Sequence, residues 1–260
     1  MSADRGTGIV RASPATDAGT VRHLLGQSPL GTVEILRPPL DDLPYRDFIA
    51  ALLAKPGFKL DFNRLAPTEA LALVSDKLLG PDAFTSERAL LAADIDALAE
   101  LAGGLVGSRP AIAIRTYFAP GDLVWHVDRV NERAAFRLLW PIGRPAGMRV
   151  TPAANVDAAL HRAYMRREHP LLGRLDTRVM RSGVPVEQAW AHRPAQLEAM
   201  ASGAFPFIRD RAQEYEIAPG AVSIHRVETP ARPGTWHRSS WANRATPGFQ
   251  LVITAAADAE

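Results

Sequence analysis

The sequence predicts a mainly β fold with added helices, a double-sheet jelly roll, and three observations predict it. Up to Val106 the apolar residues recur with helical spacing, whereas beyond Pro110 they alternate or gather in short runs bounded by Pro and Gly. These later runs fall into two sets of four around a polar helical stretch, which matches a pair of four-stranded sheets. A His-x-Asp tripeptide sits on the second run and an isolated histidine on the seventh, two strands that a jelly roll places side by side near one open end.

Taken in order, residues 1–20 are rich in small and polar side chains and are expected to form a flexible leader. Residues 21–107 then make a helical N-terminal layer. A short strand over 32–36 is halted by Pro38 and Pro39. The spacing of Phe48, Ile49, Leu52 and Leu53 predicts a helix over 45–54, stopped by Lys55-Pro56-Gly57. A second helix over 68–79 follows Pro67 and ends at Gly80-Pro81. The third, over 86–105, carries Leu90, Leu91, Ile95, Leu98, Leu101 and Leu105, and ends among glycines. Residues 108–260 form the double-stranded β-helix, a cupin-like jelly roll. Its strands are expected at 111–118, 123–130, 134–140, 148–151, 214–217, 221–227, 235–239 and 248–255. Between the two sets, a helical insert at about 157–211, broken by Pro170, Pro185 and Pro194, reads as a lid.

Composition narrows the function. Only Lys55, Lys59 and Lys77 are lysines among 30 basic residues, and the arginines interleave with 28 acidic residues. The densest basic stretch, with Arg162, Arg166, Arg167, Arg174 and Arg178, is expected to be a solvated helical face, so no nucleic-acid partner is expected. The absence of cysteine excludes disulfides, thiolate metal sites and cysteine nucleophiles. The first residues hold no apolar run of the signal-sequence kind, and the apolar stretch at 89–106 is interrupted by Asp94, Asp96 and Glu100. A cytoplasmic protein without membrane contact is the expectation.

The chemistry concentrates at His126-Val127-Asp128. Residues i and i+2 of a strand share a face, so imidazole and carboxylate point at one spot while Trp125 and Val127 turn to the other side. With 7 histidines and 16 aspartates in 260 residues, about 0.4 such tripeptides arise by chance, so the tripeptide gains its weight from its place in the fold. His237, from the seventh strand, completes a two-His, one-carboxylate set with open positions on an octahedral ion, the arrangement of non-haem Fe(II) oxygenases. Zn²⁺ and Mn²⁺ accept the same donors. Of the other histidines, His225 is expected to be structural, His161, His169 and His192 to lie on the surface, and His23 to sit near the leader. No G-x-S-x-G, P-loop, G-x-G-x-x-G or H-E-x-x-H occurs.

Trp125-His126-Val127-Asp128-Arg129, the Pro-Gly-Ala-Val of 219–222 leading to Glu228, and His237-Arg238-Ser239 resemble the bacterial family called domain of unknown function 1826. Over about 111–255 the layout is also similar to the wider 2-oxoglutarate and Fe(II)-dependent oxygenase superfamily. The resemblance implies a metal held by His126, Asp128 and His237, 2-oxoglutarate as cosubstrate, and hydroxylation of an unidentified small molecule or peptide. Two departures stand out. Ser240 replaces a proline, and Gln250 occupies the place where the superfamily carries an Arg or Lys to grip the distal carboxylate of 2-oxoglutarate. A neutral amide lacks the charged fork. Arg244 is the first substitute, Arg137 the second and Arg115 the third, and Trp236 and Trp241 are expected to line the mouth. A rival reading keeps the three ligands in a cupin-like metal-binding protein without turnover, serving metal (zinc) homeostasis. In a further rival the tripeptide is incidental to a scaffold.

Overall fold

The computed structural model describes residues 9–117, 120–168, 184–243 and 248–257. Its larger sheet has seven strands in the order β1 (Val10–Ala12), β2 (Thr32–Ile35), β8 (Val222–Arg226), β5 (Ala134–Ile142), β10 (Phe249–Ala257), β4 (Ala111–Arg115) and β3 (Lys59–Asp61). A smaller sheet runs β7 (Tyr215–Glu216), β6 (Met148–Thr151), β9 (Trp236–Ser239). From β4 onward the chain passes back and forth between the two, with only the consecutive β6 and β7 sharing a sheet. β4, β5, β8 and β10 lie in the larger sheet; the 126–130 segment, which bridges to β9 at His126, and β6, β7 and β9 lie on the smaller side.

Period-two alternation sorts the larger sheet into two faces. Leu138, Trp140 and Ile142 of β5, Leu251 and Ile253 of β10, Ile114 of β4 and Ile224 of β8 lie on one face. There they pack against α1 (Ala18–Gln27), α2 (Arg46–Leu53), α3 (Pro67–Leu78) and α4 (Thr85–Val106) in one buried core with Leu25, Phe48, Ile49, Leu91 and Ile95. Each such side chain contributes about 1.5–3 kcal/mol by leaving water. The intervening residues Arg137, Leu139, Gln250, Val252, Thr254, Arg115 and Ser223 line a cavity on the opposite face. Cross-strand register stacks them in rows, Arg137 beside Thr254 and His225, and Gln250 beside Arg115.

Three helices of the N-terminal layer, α2, α3 and α4, lie within two residues of their expected bounds, because their signals are local, whereas α1 was not anticipated and begins inside the expected leader. Pro67 opens α3, where the Glu69 carboxylate accepts the Ala66 N–H at 3.1 Å, and Gly107 closes α4 in the left-handed region at φ 78°.

Four expectations need correction. The sheets hold seven and three strands rather than four and four, because β1 and β2 extend one edge and β3 the other. The run expected as a strand over 123–130 is a turn (Pro120–Leu123) followed by isolated bridges at His126 and Arg129. Leu123, Val124 and Trp125 are all buried in succession, which strict alternation does not allow. They are buried because α5 (158–168), α6 (Val186–Ala189), α7 (Pro194–Ser202) and the loop after it set Tyr164, Trp190, Met200, Phe205 and Phe207 against them. The leader expected over 1–20 belongs to the fold from Ile9 onward. Ile9 is buried, β1 pairs in parallel with β2, and Arg11 meets the buried Glu34 at 2.7 Å. Finally, β3 was not anticipated, since a three-residue charged edge strand leaves almost no pattern. Among the described residues, no helix is long and apolar enough to cross a membrane. His169, Pro170, Arg174, Arg178 and Arg244 lie outside the described residues.

Candidate metal centre

Two backbone hydrogen bonds build the site. His126 N–H donates to His237 O and His237 N–H to His126 O, each at 3.0 Å, so the two residues form a hydrogen-bonded antiparallel pair. Directly opposed residues of such a pair project from one face, and the two rings lie 4.3 Å apart, centroid to centroid. Asp128, two residues on, reaches the same spot. One donor atom from each of His126, Asp128 and His237 lies within 4.8 Å of the others, and Asp128 Oδ2 is 3.5 Å from His237 Nε2.

Both rings have a fixed tautomer. His126 Nδ1 lies 2.8 Å from Val124 O and His237 Nδ1 3.0 Å from Thr235 O. A carbonyl only accepts, so each Nδ1 carries the hydrogen and each Nε2 presents a lone pair. That outer contact is the one metal-binding histidines ordinarily make. Burial pushes the His237 imidazole well below its ordinary value, with His126 and His225 adding to the shift, so it is neutral as a ligand must be. Burial alone would raise the Asp128 carboxyl, but His225, His237 and Arg137 outweigh it and hold the group far below the usual carboxylate range. An anionic oxygen and two imidazole nitrogens within reach of one point suit a divalent ion with metal–ligand bonds of about 2 Å.

The site opens onto a cavity of about 460 Å³. Near the three donors, Arg137 places Nη1 2.5 Å from Asp128 Oδ1 and gives its Nε–H to Thr254 Oγ1 at 3.1 Å. At another part of the wall, Arg115 donates to Gln250 Oε1 at 2.6 Å and pairs with Asp122. Arg144 is buried in the same lining, and its burial, then the charge of Arg115, pushes it down to about 10.

His126, Asp128 and His237 thus converge as expected. Arg137 and Gln250 reach the cavity, but each has a protein partner: Asp128 for the arginine, Arg115 for the amide. Trp236 and Trp241 pack with the second core around Trp125 and are not among the cavity lining. His161, expected on the surface, is half-buried. Its Nε2–H donates to Trp125 O at 3.0 Å, and its ring meets Phe207 and Trp236 edge-on at 4.9 and 4.6 Å. The contact between His225 and Asp128 was missed, although its alternation with Ser223 was a usable signal. Nothing in the sequence marks Arg144.

No family model matches the chain, so the bacterial family read from its motifs gains no support there. No curated protein matches it. Among solved structures the chain is similar to the dioxygenase for auxin oxidation of rice, at 13% identity and a TM-score of 0.49, over 96% of this chain and 83% of that one. It is also similar to dioxygenase for auxin oxidation 1 of Arabidopsis thaliana in its binary complex with 2-oxoglutarate, at 11% identity and a TM-score of 0.42, over 97% and 93%. Likenesses of that size carry no functional argument.

Proposed function

We propose that this chain is a non-haem Fe(II)-dependent oxygenase on a double-stranded β-helix, working in the cytoplasm with 2-oxoglutarate on a small-molecule or peptide substrate. One observation carries the reading: on the wall of a cavity, His126, Asp128 and His237 each bring a donor atom within 4.8 Å of the others, while each imidazole Nδ1 is taken up by a backbone carbonyl. Three protein donors leave positions open for a chelating cosubstrate and for O₂. The repeated passage of the chain between the two sheets supports the β-helix. The helices after residue 157 would serve as its lid.

When bound, iron supplies the activation of O₂ coupled to decarboxylation of 2-oxoglutarate to succinate. The protein's residues do the rest. Arg137 fixes Asp128, and Leu139, Val252 and Ala113 give the cavity an apolar wall that limits water. Arg115 supplies the cation for the distal carboxylate. It stands directly across from Gln250, so the charge missing from the last strand is provided by its neighbour in the sheet, aimed by Gln250 and Asp122. A protein that only stores metal has no need of Arg115 and Arg144 in the cavity lining.

The test is anaerobic loading of purified protein with Fe(II), iron analysis, then succinate release on adding 2-oxoglutarate and O₂. One iron per chain with succinate release supports the proposal. Metal without succinate leaves a metal-binding protein, and no stoichiometric metal leaves a scaffold.

A further inference from the structure

Three imidazoles surround Asp128, and they are not equivalent. His126 and His237 each give Nδ1–H to a carbonyl, which leaves Nε2 as the nitrogen with a lone pair for an ion. His225 is fully buried, its ring lies 4.6 Å from that of His237, and among the described residues its Nδ1 has no hydrogen-bond partner. Its Nε2 lies 3.4 Å from Asp128 Oδ2, a long hydrogen bond.

The position of the ring hydrogen follows. On Nδ1 it would be a buried donor with no acceptor, and the bare Nε2 lone pair would face the carboxylate oxygen. On Nε2 it is donated to Asp128, and only a ring lone pair stays bare. A nitrogen that carries hydrogen cannot also bind a metal. Register adds a second constraint. His225 of β8 lies directly across from Arg137 of β5, and Arg137 takes the other oxygen of the same carboxylate, Oδ1, at 2.5 Å.

Resting on the metal reading above, we infer that His225 is a positioning residue of the metal centre and not a third histidine ligand. Its Nε2–H and the Arg137 guanidinium hold one oxygen each of Asp128. Oδ2 is thereby kept facing His237 as a one-oxygen ligand, and the carboxylate cannot swing to chelate the ion through both oxygens and fill a position needed by O₂ or cosubstrate.

The experiment titrates metal-free protein with Co²⁺, reading affinity and the visible ligand-field bands, in wild type, His225→Leu and His225→Gln. The leucine variant should bind about 10- to 100-fold more weakly, the usual effect of losing an outer partner. The glutamine side chain, which still offers an N–H, should recover most of that loss with wild-type bands. In an Asp128→Asn background, His225→Leu should cost nothing more. Circular dichroism of the metal-free chains checks folding. If the leucine variant does not fold, the glutamine variant decides alone, with near-wild-type affinity and bands required. Wild-type affinity in His225→Leu overturns the inference, as does a change of bands in His225→Gln that signals a lost nitrogen ligand. Failure of the wild type itself to bind Co²⁺ removes the metal reading and this inference together.

Discussion

Replacing His126 by Ala separates the ligand role of this residue from its structural one. Its backbone N–H and C=O make the bridge to His237 at 3.0 Å in both directions, and alanine keeps both bonds. The ring is only half-buried at the cavity wall and touches His237 at 4.3 Å between centroids, so its loss should cost the metal-free fold no more than about 1 kcal/mol. Binding is different. Apparent energies of about 10–16 kcal/mol for four-ligand structural zinc sites correspond to roughly 2.5–4 kcal/mol per ligand, on the order of a hundredfold to a thousandfold in Kd. At a metal concentration about a thousandfold above the wild-type Kd, the wild type gains about 4 kcal/mol of stability, whereas a variant about 300-fold weaker gains about 1 kcal/mol. Thermal melts with and without Co²⁺ or Fe²⁺, paired with metal analysis after dialysis, read both quantities. Unchanged metal content, or an equal metal-induced rise in Tm, would refute the ligand assignment.

Other expectations follow from the same geometry. Arg115→Met should raise KM for 2-oxoglutarate about 10- to 100-fold, the worth of a charge-assisted hydrogen bond, at unchanged iron stoichiometry. An unaltered KM in steady-state assays would mean that the distal carboxylate is gripped elsewhere. Gly234→Ala puts a Cβ 2.4 Å from Val127 Cγ1 and 2.5 Å from Glu228 N, so the segment carrying Asp128 must shift. The variant should lose about 1–3 kcal/mol in urea denaturation and bind Co²⁺ more weakly, and wild-type values for both would show that the segment yields freely. Burial lowers the affinities of His161, His225 and His237 for protons. As pH falls below about 6.5 the unfolded chain takes up protons first, so the metal-free protein should lose stability on acidification. His161→Phe should flatten that slope in urea midpoints taken across the window, and an equal slope would remove His161 from the account.

Legibility tracked how local the cause was. α2, α3 and α4 were readable because 3.6-residue spacing runs within each, and the stops at Lys55-Pro56-Gly57 and Gly80-Pro81 follow directly on the ends of α2 and α3. The pairing of His126 with Asp128 was readable although the strand expected there is not regular, because a same-face i, i+2 relation needs only a locally extended backbone anchored by one bridge. β3 and β1 were invisible, since their pairing is decided by edges of a sheet formed elsewhere in the chain. The burial of Leu123, Val124 and Trp125 in a row came from helices more than 30 residues away, which no window around the motif contains.

The Gln250 departure shows what register adds to a motif. Read along the chain, a neutral amide on the last strand argues against a carboxylate grip. Read across the sheet, its cross-strand neighbour on β4 is Arg115, whose Nε–H it accepts at 2.6 Å. A side chain on one strand can place a charge where its neighbour's would have stood, because facing residues are only about 5 Å apart. The amide then acts as the second partner that aims the guanidinium, with Asp122 as the first. The same logic covers Asp128, whose two holders come from facing positions of β5 and β8, nearly 90 residues apart in sequence. In this fold the residues that tune the site are chosen by sheet register, while the residues that form it are chosen by spacing along the chain.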